Sequence, residues 1–206
     1  MNKIRIVVAD DHKIVRKGLM ALFQTTKDLE VIGEASDGDE AVAIALSARP
    51  DVVMMDLMMP VKDGVTATAE LHAKLPDTKI IILTTFGTSD GIAHALENGA
   101  PGAILKSADD DLLIKAIHEV TAGNRYISAE IEHLLEEDPP VPELTARQTE
   151  ILQAVTRGLT NSDIATLLGI RQDSVKKLVT AVCSKIGAAN RTAAAVIALR
   201  KHLLKF

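Results

Sequence analysis

The sequence predicts two folds in one chain: an α/β domain built on a doubly wound five-stranded parallel sheet, then an all-α domain of four helices. Three observations predict this. Short aliphatic runs alternate with stretches of 3.6-residue periodicity over the first 125 residues. Prolines then cluster at Pro139, Pro140 and Pro142, which no helix or central strand tolerates. Beyond them every apolar pattern has helical period, and no strand signal recurs.

Strands are expected at 4–9, 30–35, 51–56, 79–84 and 102–105. Between them run amphipathic stretches such as Val15, Leu19, Leu22 and Phe23, or Leu112, Ala116, Ile117 and Val120. Gly99 after Asn98 marks a helix end, and Pro50 and Pro76 each precede a strand. A sheet of this kind binds its ligands beyond the carboxyl ends of the strands. Helices follow at 145–156, 161–168, 172–186 and 190–204, with Thr145 as an N-cap and Gly158, Gly169 and Gly187 where successive helices stop. The expected organisation is therefore a first domain over 1–125, an acidic, Pro-rich linker over 126–142, and a second domain over 143–206.

Composition narrows the function. At 47% hydrophobic and 25% charged, the 206 residues suffice for two ordinary cores. Aromatics make up 2% (Phe23, Phe86, Phe206 and Tyr126), too few for a surface that stacks single-stranded bases. A single cysteine, Cys183, excludes a disulfide framework and a Cys-rich zinc site. No run approaches the ~20 apolar residues of a membrane span. The apolar stretch after Arg5 meets Asp10-Asp11 before it could act as a signal peptide, so no membrane partner and a cytoplasmic location are expected. The net charge of −5 conceals an asymmetry. Residues 1–125 carry 13 Lys+Arg against 19 Asp+Glu, 126–142 carry none against 5, and 143–206 carry 10 against 4. A basic C-terminal part points to a polyanionic partner.

Five residues fall at the ends of expected strands: Asp10 and Asp11 after the first, Asp56 after the third, Thr84 after the fourth and Lys106 after the fifth. Convergent carboxylates repel unless a cation sits among them, and an all-oxygen set suits Mg²⁺. Asp56, the most central, is placed to act as a carboxylate nucleophile towards a phosphoryl group. Thr84 offers a hydroxyl and Lys106 a point charge for phosphoryl oxygens. Singly, acids, hydroxyls and lysines at strand ends are ordinary caps and solvated loop residues. The five residue types together carry the reading.

Asp10-Asp11-His12, Met55 to Pro60 with Asp63-Gly64, Leu83 to Phe86, and Gly99-Ala100 with Ile104-Leu105-Lys106 resemble the receiver domain of two-component response regulators. That resemblance implies a flavodoxin-like receiver with Asp56 as phospho-acceptor. Asp10, Asp11, Asp56 and the backbone carbonyl of Met58 would hold Mg²⁺, and a sensor histidine kinase would be the donor. The chain departs from the family in three places. Ala103 stands where the family usually carries an aromatic switch residue, and Met58 and Phe86 are apolar at positions that usually tune loss of the phosphoryl group. Neither can orient an attacking water, so a long-lived phospho-form is expected.

Leu144 to Gln148, Gly158 to Asn161, Ser174-Val175-Lys176, Lys185-Ile186-Gly187 and Asn190-Arg191-Thr192 resemble the LuxR-type helix-turn-helix. The whole chain is thereby similar to response regulators of the NarL/FixJ type. Val175, Val179, Val182 and Ile186 form one stripe of the third helix of this domain, and Lys176, Lys177 and Thr180 lie opposite it as base-edge candidates. Arg147, Thr160, Asn161, Arg171, Lys185 and Arg191 are phosphate-contact candidates. Arg171 replaces the Ser or Thr usual at the entry of that helix, leaving Asp173 as a substitute cap, and Leu178 replaces a common His. The apolar final helix, Ala193 to Leu199, reads mainly as core with a dimer contact as the lesser use. His72, His94, His118, His133 and His202 lack metal-ligand spacing and read as surface helix residues.

The function expected is a transcription regulator, not an enzyme, in which phosphorylation of Asp56 controls homodimerisation and binding to double-stranded DNA, with RNA polymerase as a conceivable further partner. Two other classes compete with it. One is a signalling adaptor whose C-terminal domain binds protein. The other is an Asp-nucleophile phosphotransferase, although that class places its nucleophile after the first strand in an Asp-x-Asp pattern.

Overall fold

The parallel arrangement of the N-terminal strands follows from their burial on both faces, which demands near-continuous apolar runs. In the computed structural model, which describes residues 3–85, 89–142, 144–201 and 203–204, β1 (Ile4–Ala9), β2 (Leu29–Ala35), β3 (Val52–Asp56), β4 (Lys79–Thr84) and β5 (Gly102–Leu105) pair in the order β2-β1-β3-β4-β5. All of these pairings are parallel. Helices α1 (Lys13–Thr25), α2 (Gly38–Ala48), α3 (Gly64–Lys74), α4 (Ser89–Glu97) and α5 (Asp110–Thr121) alternate with the strands.

Strand periodicity of two sends alternate residues to opposite cores. Val7, Ala9, Val53, Met55, Ile80 and Ile82 pack with Ala41, Val42 and Ala45 of α2, Ala67 and Leu71 of α3, and Ile92 and Ala95 of α4. Their neighbours Ile6, Val8, Val52, Met54, Ile81 and Leu83 pack with Leu19 and Phe23 of α1 and with Leu113, Ala116, Ile117 and Val120 of α5. A one-residue slip of any central strand would exchange the two sets, so the pattern fixes register. Asp37 and Asp63 cap α2 and α3, accepting the backbone N–H of Glu40 and Thr66 at 2.9 and 2.8 Å.

Two expectations are corrected. The sheet has six strands: β6 (Tyr126–Ile127) pairs in parallel with β5, through Gly102–Tyr126 and Ala103–Ile127. It is followed by α6 (Ala129–Glu137), whose Ile131 is fully buried in the α2–α3–α4 core. Much of the stretch expected as linker therefore belongs to the first compact unit, residues 1–138, and the second covers 139–206. A two-residue strand is too short to show a period. It exists because the outer edge of β5 presents backbone groups that need partners, supplied by Tyr126 N–H to Pro101 O at 2.9 Å and Ser128 N–H to Ala103 O at 3.0 Å.

The second unit consists of α7 (Ala146–Thr156), α8 (Asn161–Leu168), α9 (Gln172–Lys185) and α10 (Arg191–Arg200). Its core is Ile151, Leu152, Val155, Ile164, Val175, Val182, Ile186, Ala194 and Ala198, closed by Val141 and Leu204. Thr145 and Thr160 each form a capping box, with Gln148 and Asp163. Gly169 ends α8 at φ 63°, the left-handed conformation that lets the chain turn into α9. Arg171 is the N-cap of α9 and makes no side-chain cap bond; Asp173 lies exposed in the first turn, where its charge suits the helix dipole without replacing the cap. The last helix ends at Arg200 rather than 204, and Leu203 and Leu204 fold back onto the core. Among the described residues no helix is long and apolar enough to cross a membrane.

Candidate functional site

Parallel strands that all end on one edge bring their C-terminal residues together, and here that edge is acidic. Asp10 is completely buried, Asp56 is 3% exposed, and Asp11 lies more open beside them. The ligating atoms of Asp10, Asp11, His12 and Asp56 all lie within 4.8 Å of one another. Lys106, next after β5, reaches across the strand ends. Its Nζ stands 2.7 Å from Asp10 Oδ2 and 2.7 Å from Asp56 Oδ2. Lys106 N–H also donates to Thr84 O at 2.7 Å, which ties its backbone to the end of β4.

Electrostatics follow from this burial. Desolvation pushes the Asp56 carboxyl up from its ordinary value; the negative Asp10 adds to the rise, and the hydrogen bonds and charge of Lys106 oppose it. Burial works against the charge of Lys106, but its hydrogen bonds to Asp10 and Asp56 outweigh that, so its ammonium is held above the usual lysine value. Two buried carboxylates sharing one ammonium still carry excess negative charge, and Asp11 adds to it. The donor set is hard oxygen throughout apart from His12, and one side is open to solvent, which fits a small divalent cation that keeps part of its water.

The loop after β3 completes the site. Met58 N–H points at Asp56 Oδ1 from 3.4 Å, a weak contact, and Gly64 N–H donates to Leu57 O at 2.9 Å. A Cβ on Gly64 would fall on the Asp56 carbonyl oxygen, so only glycine lets α3 start this close to the acid. The Thr84 hydroxyl, 1% exposed, donates to Thr85 O at 3.0 Å. Phe86 lies outside the described residues.

Of two groups that brace the site, Arg16 carried no signal in the sequence, and His12 was legible only as the loop residue that follows the two acids. Arg16 donates from Nη1 to Asp10 O at 2.6 Å and from Nε to Glu34 Oε2 at 3.1 Å, fastening the acidic turn to β2. His12, one residue beyond the acids, pairs through Nδ1 with Asp11 Oδ1 at 2.6 Å, and its N–H donates to Asp10 Oδ1 at 2.8 Å. An arginine six residues after an acid on an amphipathic helix looks like any solvated residue; only the fold shows what it holds.

In the second unit the candidates separate into two groups. Lys176, Lys177 and Thr180 lie exposed on one face of α9, with the Thr180 hydroxyl donating to Lys176 O at 3.0 Å, and Arg171 is exposed at its start. The others already have protein partners. Arg147 pairs with Glu150 at 2.8 Å, Lys185 donates to Gln148 Oε1 at 3.1 Å, and Thr160 is engaged with Asp163. Arg191 donates to Asn161 Oδ1 at 3.0 Å and to Leu159 O, joining the start of α10 to the start of α8.

Residues 6–118 match the response regulator receiver domain, and residues 142–198 match the luxR family of bacterial regulatory proteins. The chain is 38% identical over 209 residues to the transcriptional regulatory protein LiaR of Bacillus subtilis, covering 98% of this chain and 99% of that one. It is 34% identical over 218 residues to the oxygen regulatory protein NreC of Staphylococcus epidermidis, covering 98% and 100%. Among solved structures it resembles the response regulator ChrA of a heme-sensing two-component system, at 36% identity and TM-score 0.61 over 99% of this chain and 100% of that one. The fold is also that of RcsB, solved in complex with DNA, at 23% identity and TM-score 0.70 over 97% of this chain and 99% of that one.

Proposed function

The chain belongs to the response regulators that join a receiver domain to a LuxR-type DNA-binding domain, and from that premise we propose that Asp56 accepts a phosphoryl group from a sensor histidine kinase and thereby controls binding to double-stranded DNA. The family is one of transcription regulators rather than classical enzymes. The observation that carries the proposal is the Lys106 bridge, in which one ammonium holds two buried carboxylates at 2.7 Å each. That arrangement has one charge too few and an opening at Asp11.

Asp10, Asp11, Asp56 and the carbonyl of Met58 would hold Mg²⁺, which supplies positive charge to offset the carboxylates and the incoming phosphoryl oxygens. Asp56 then attacks phosphorus through a carboxylate oxygen. An O–P bond forms, the P–N bond to the donor histidine breaks, and its electron pair leaves with the imidazole. Lys106 gives up Asp56 Oδ2 and pairs with a phosphoryl oxygen, and the Thr84 hydroxyl turns from Thr85 O towards another. Met58, half exposed beside the acceptor, offers no group to hold a hydrolytic water, so the phospho-form persists.

On the second unit, α9 would enter the major groove with Lys176, Lys177 and Thr180 towards base edges and Arg171 towards a phosphate. Arg147, Asn161, Lys185 and Arg191 would meet phosphates with donors left over from their internal bonds; a guanidinium has five N–H groups and spends only some of them here. Thr160, whose hydroxyl and backbone N–H both donate to Asp163, would have to exchange one of those bonds for a phosphate. Val196 and Leu199, 59% and 54% exposed and three residues apart on α10, supply an apolar stripe for a homodimer on paired half-sites. The test is phosphorylation with Mg²⁺ and a small acyl phosphate. One phosphoryl group is expected by mass, none in Asp56→Asn, with tighter operator binding in the phosphorylated protein; phosphoryl uptake by Asp56→Asn would refute the assignment.

A further inference from the structure

We propose that Lys62 is a positioning residue for the cation site: it clamps the strained loop between β3 and α3 and so presents the Met58 carbonyl. The inference rests on the reading of Asp10, Asp11 and Asp56 as a Mg²⁺ site.

The loop contains a backbone anomaly. Val61 has φ 65°, in the left-handed region, and is 84% exposed. A β-branched side chain seldom adopts that conformation, and it persists only where the surroundings over-determine it. Val61 is the middle of a three-residue turn closed by Lys62 N–H to Pro60 O at 2.7 Å. An exposed valine brings little packing to offset the strain, so the restraint must come from elsewhere.

Lys62 supplies it at three points. Its carbonyl accepts Gly38 N–H at 3.0 Å, its N–H closes the turn, and its Nζ lies 2.6 Å from Asp39 Oδ1 and 2.5 Å from Glu70 Oε2. Lys74 braces Glu70 from the far side at 2.7 Å. The loop is thereby pinned to the first turn of α2 and to the body of α3 at once. Gly38 makes room for the clamp, since a Cβ there would meet Lys62 O at 2.5 Å and Lys62 Cγ at 2.9 Å. The other end is held by Gly64 N–H to Leu57 O and by the Asp63 cap on α3. Met58 lies between these anchors. With both ends fixed the Met58 carbonyl is held in place; without the Lys62 ammonium only the two backbone bonds restrain the turn at Val61, which can then relax and let the carbonyl turn.

Magnesium demands near-ideal octahedral geometry, so a misdirected carbonyl should appear as lost affinity rather than lost folding. The test is calorimetric titration of the full chain with Mg²⁺, together with amide hydrogen exchange at Met58 and Met59. Lys62→Ala is expected to bind Mg²⁺ about three- to tenfold more weakly, a change of roughly 0.6–1.4 kcal/mol at tenfold per 1.4 kcal/mol. Its melting temperature should hold nearly steady and the two amides should exchange faster. Lys62→Arg should retain affinity, and the Lys62→Ala loss should shrink in a Val61→Gly background, where no strain needs restraint. Lys62→Ala affinity within twofold of the parent, or an undiminished loss in that background, would overturn the proposal. Asp11→Asn separates it from the reading beneath: unchanged Mg²⁺ affinity in that variant would remove the cation site itself.

Discussion

The acidic edge of the sheet and the exposed face of α9 are both charged surfaces, each proposed above to meet a phosphate-bearing partner, yet they are constructed in opposite ways. At the sheet edge every charge is buried or braced: Lys106 spans Asp10 and Asp56, Arg16 holds the Asp10 carbonyl, and Gly64 admits α3 against Asp56. On α9 the side chains of Lys176 and Lys177 stand in solvent with no ion pair found among the described residues. A site that does bond-making must hold its groups in place before the substrate arrives, whereas a surface that reads DNA can order long side chains on contact. The first is costly to alter and the second is tolerant.

The largest expected effect tests that cost. Lys106→Met leaves two buried carboxylates facing each other, and loss of one partner of a buried pair should remove about 3 kcal/mol from unfolding stability in the absence of Mg²⁺. Added Mg²⁺ should return much of it by replacing the lost positive charge. Denaturant melts with and without Mg²⁺ check this, and equal stability of variant and parent would show that the bridge is not structural.

Glycine substitutions sharpen the contrast. Gly64→Ala drives a Cβ into the Asp56 backbone and should cost about 2–4 kcal/mol, the range of an unrelieved clash. Gly169→Ala, with φ 63° but open space around it, should cost only about 1 kcal/mol. Similar losses in the two would erase the distinction between a crowded site and a simple helix end.

On α9, Lys176→Ala and Lys177→Ala should change stability by less than about 0.5 kcal/mol. A lysine that reads a base should cost about 1–3 kcal/mol of operator affinity and relax one position of the site, while one that meets a phosphate should flatten the salt dependence instead. Operator titrations at several salt concentrations distinguish the two.

The smallest effect concerns pH. Asp163 is held below its ordinary value by hydrogen bonds from the Thr160 hydroxyl and then from the Thr160 backbone N–H. A depressed carboxylate stabilises the fold above its unfolded value of 3.8 and loses that contribution as pH falls through the lower folded value. Asp163→Asn should therefore lower the second unit's stability slightly above about pH 4, converge with the parent at lower pH and so flatten the acid limb of the stability curve, which denaturant melts across pH would check.

Most of this architecture was written locally. Alternating aliphatic strands encode which residue faces which core, because a period of two leaves no other register, and Asp10, Asp11, Asp56, Thr84 and Lys106 are legible because parallel topology sends every strand end to one edge. The capping signal at Thr145 likewise acts within four residues of itself, whereas Thr160, read as a phosphate contact, showed its capping box with Asp163 only in the structure. The rest depended on partners distant in the chain. β6 exists only because β5 has an open edge, and α6 joins the first unit only because Ile131 finds a core left partly uncovered. Arg16, Glu34, Asp39, Lys62 and Glu70 carry no period or motif; each gains its role from a contact whose other half lies up to dozens of residues away. By itself the sequence determined which segments fold and which residues meet at the site, since those follow from short-range periodicity and strand polarity. Tertiary structure alone decided what braces them, because a charged side chain's partner is set by three-dimensional proximity that spacing along the chain does not encode.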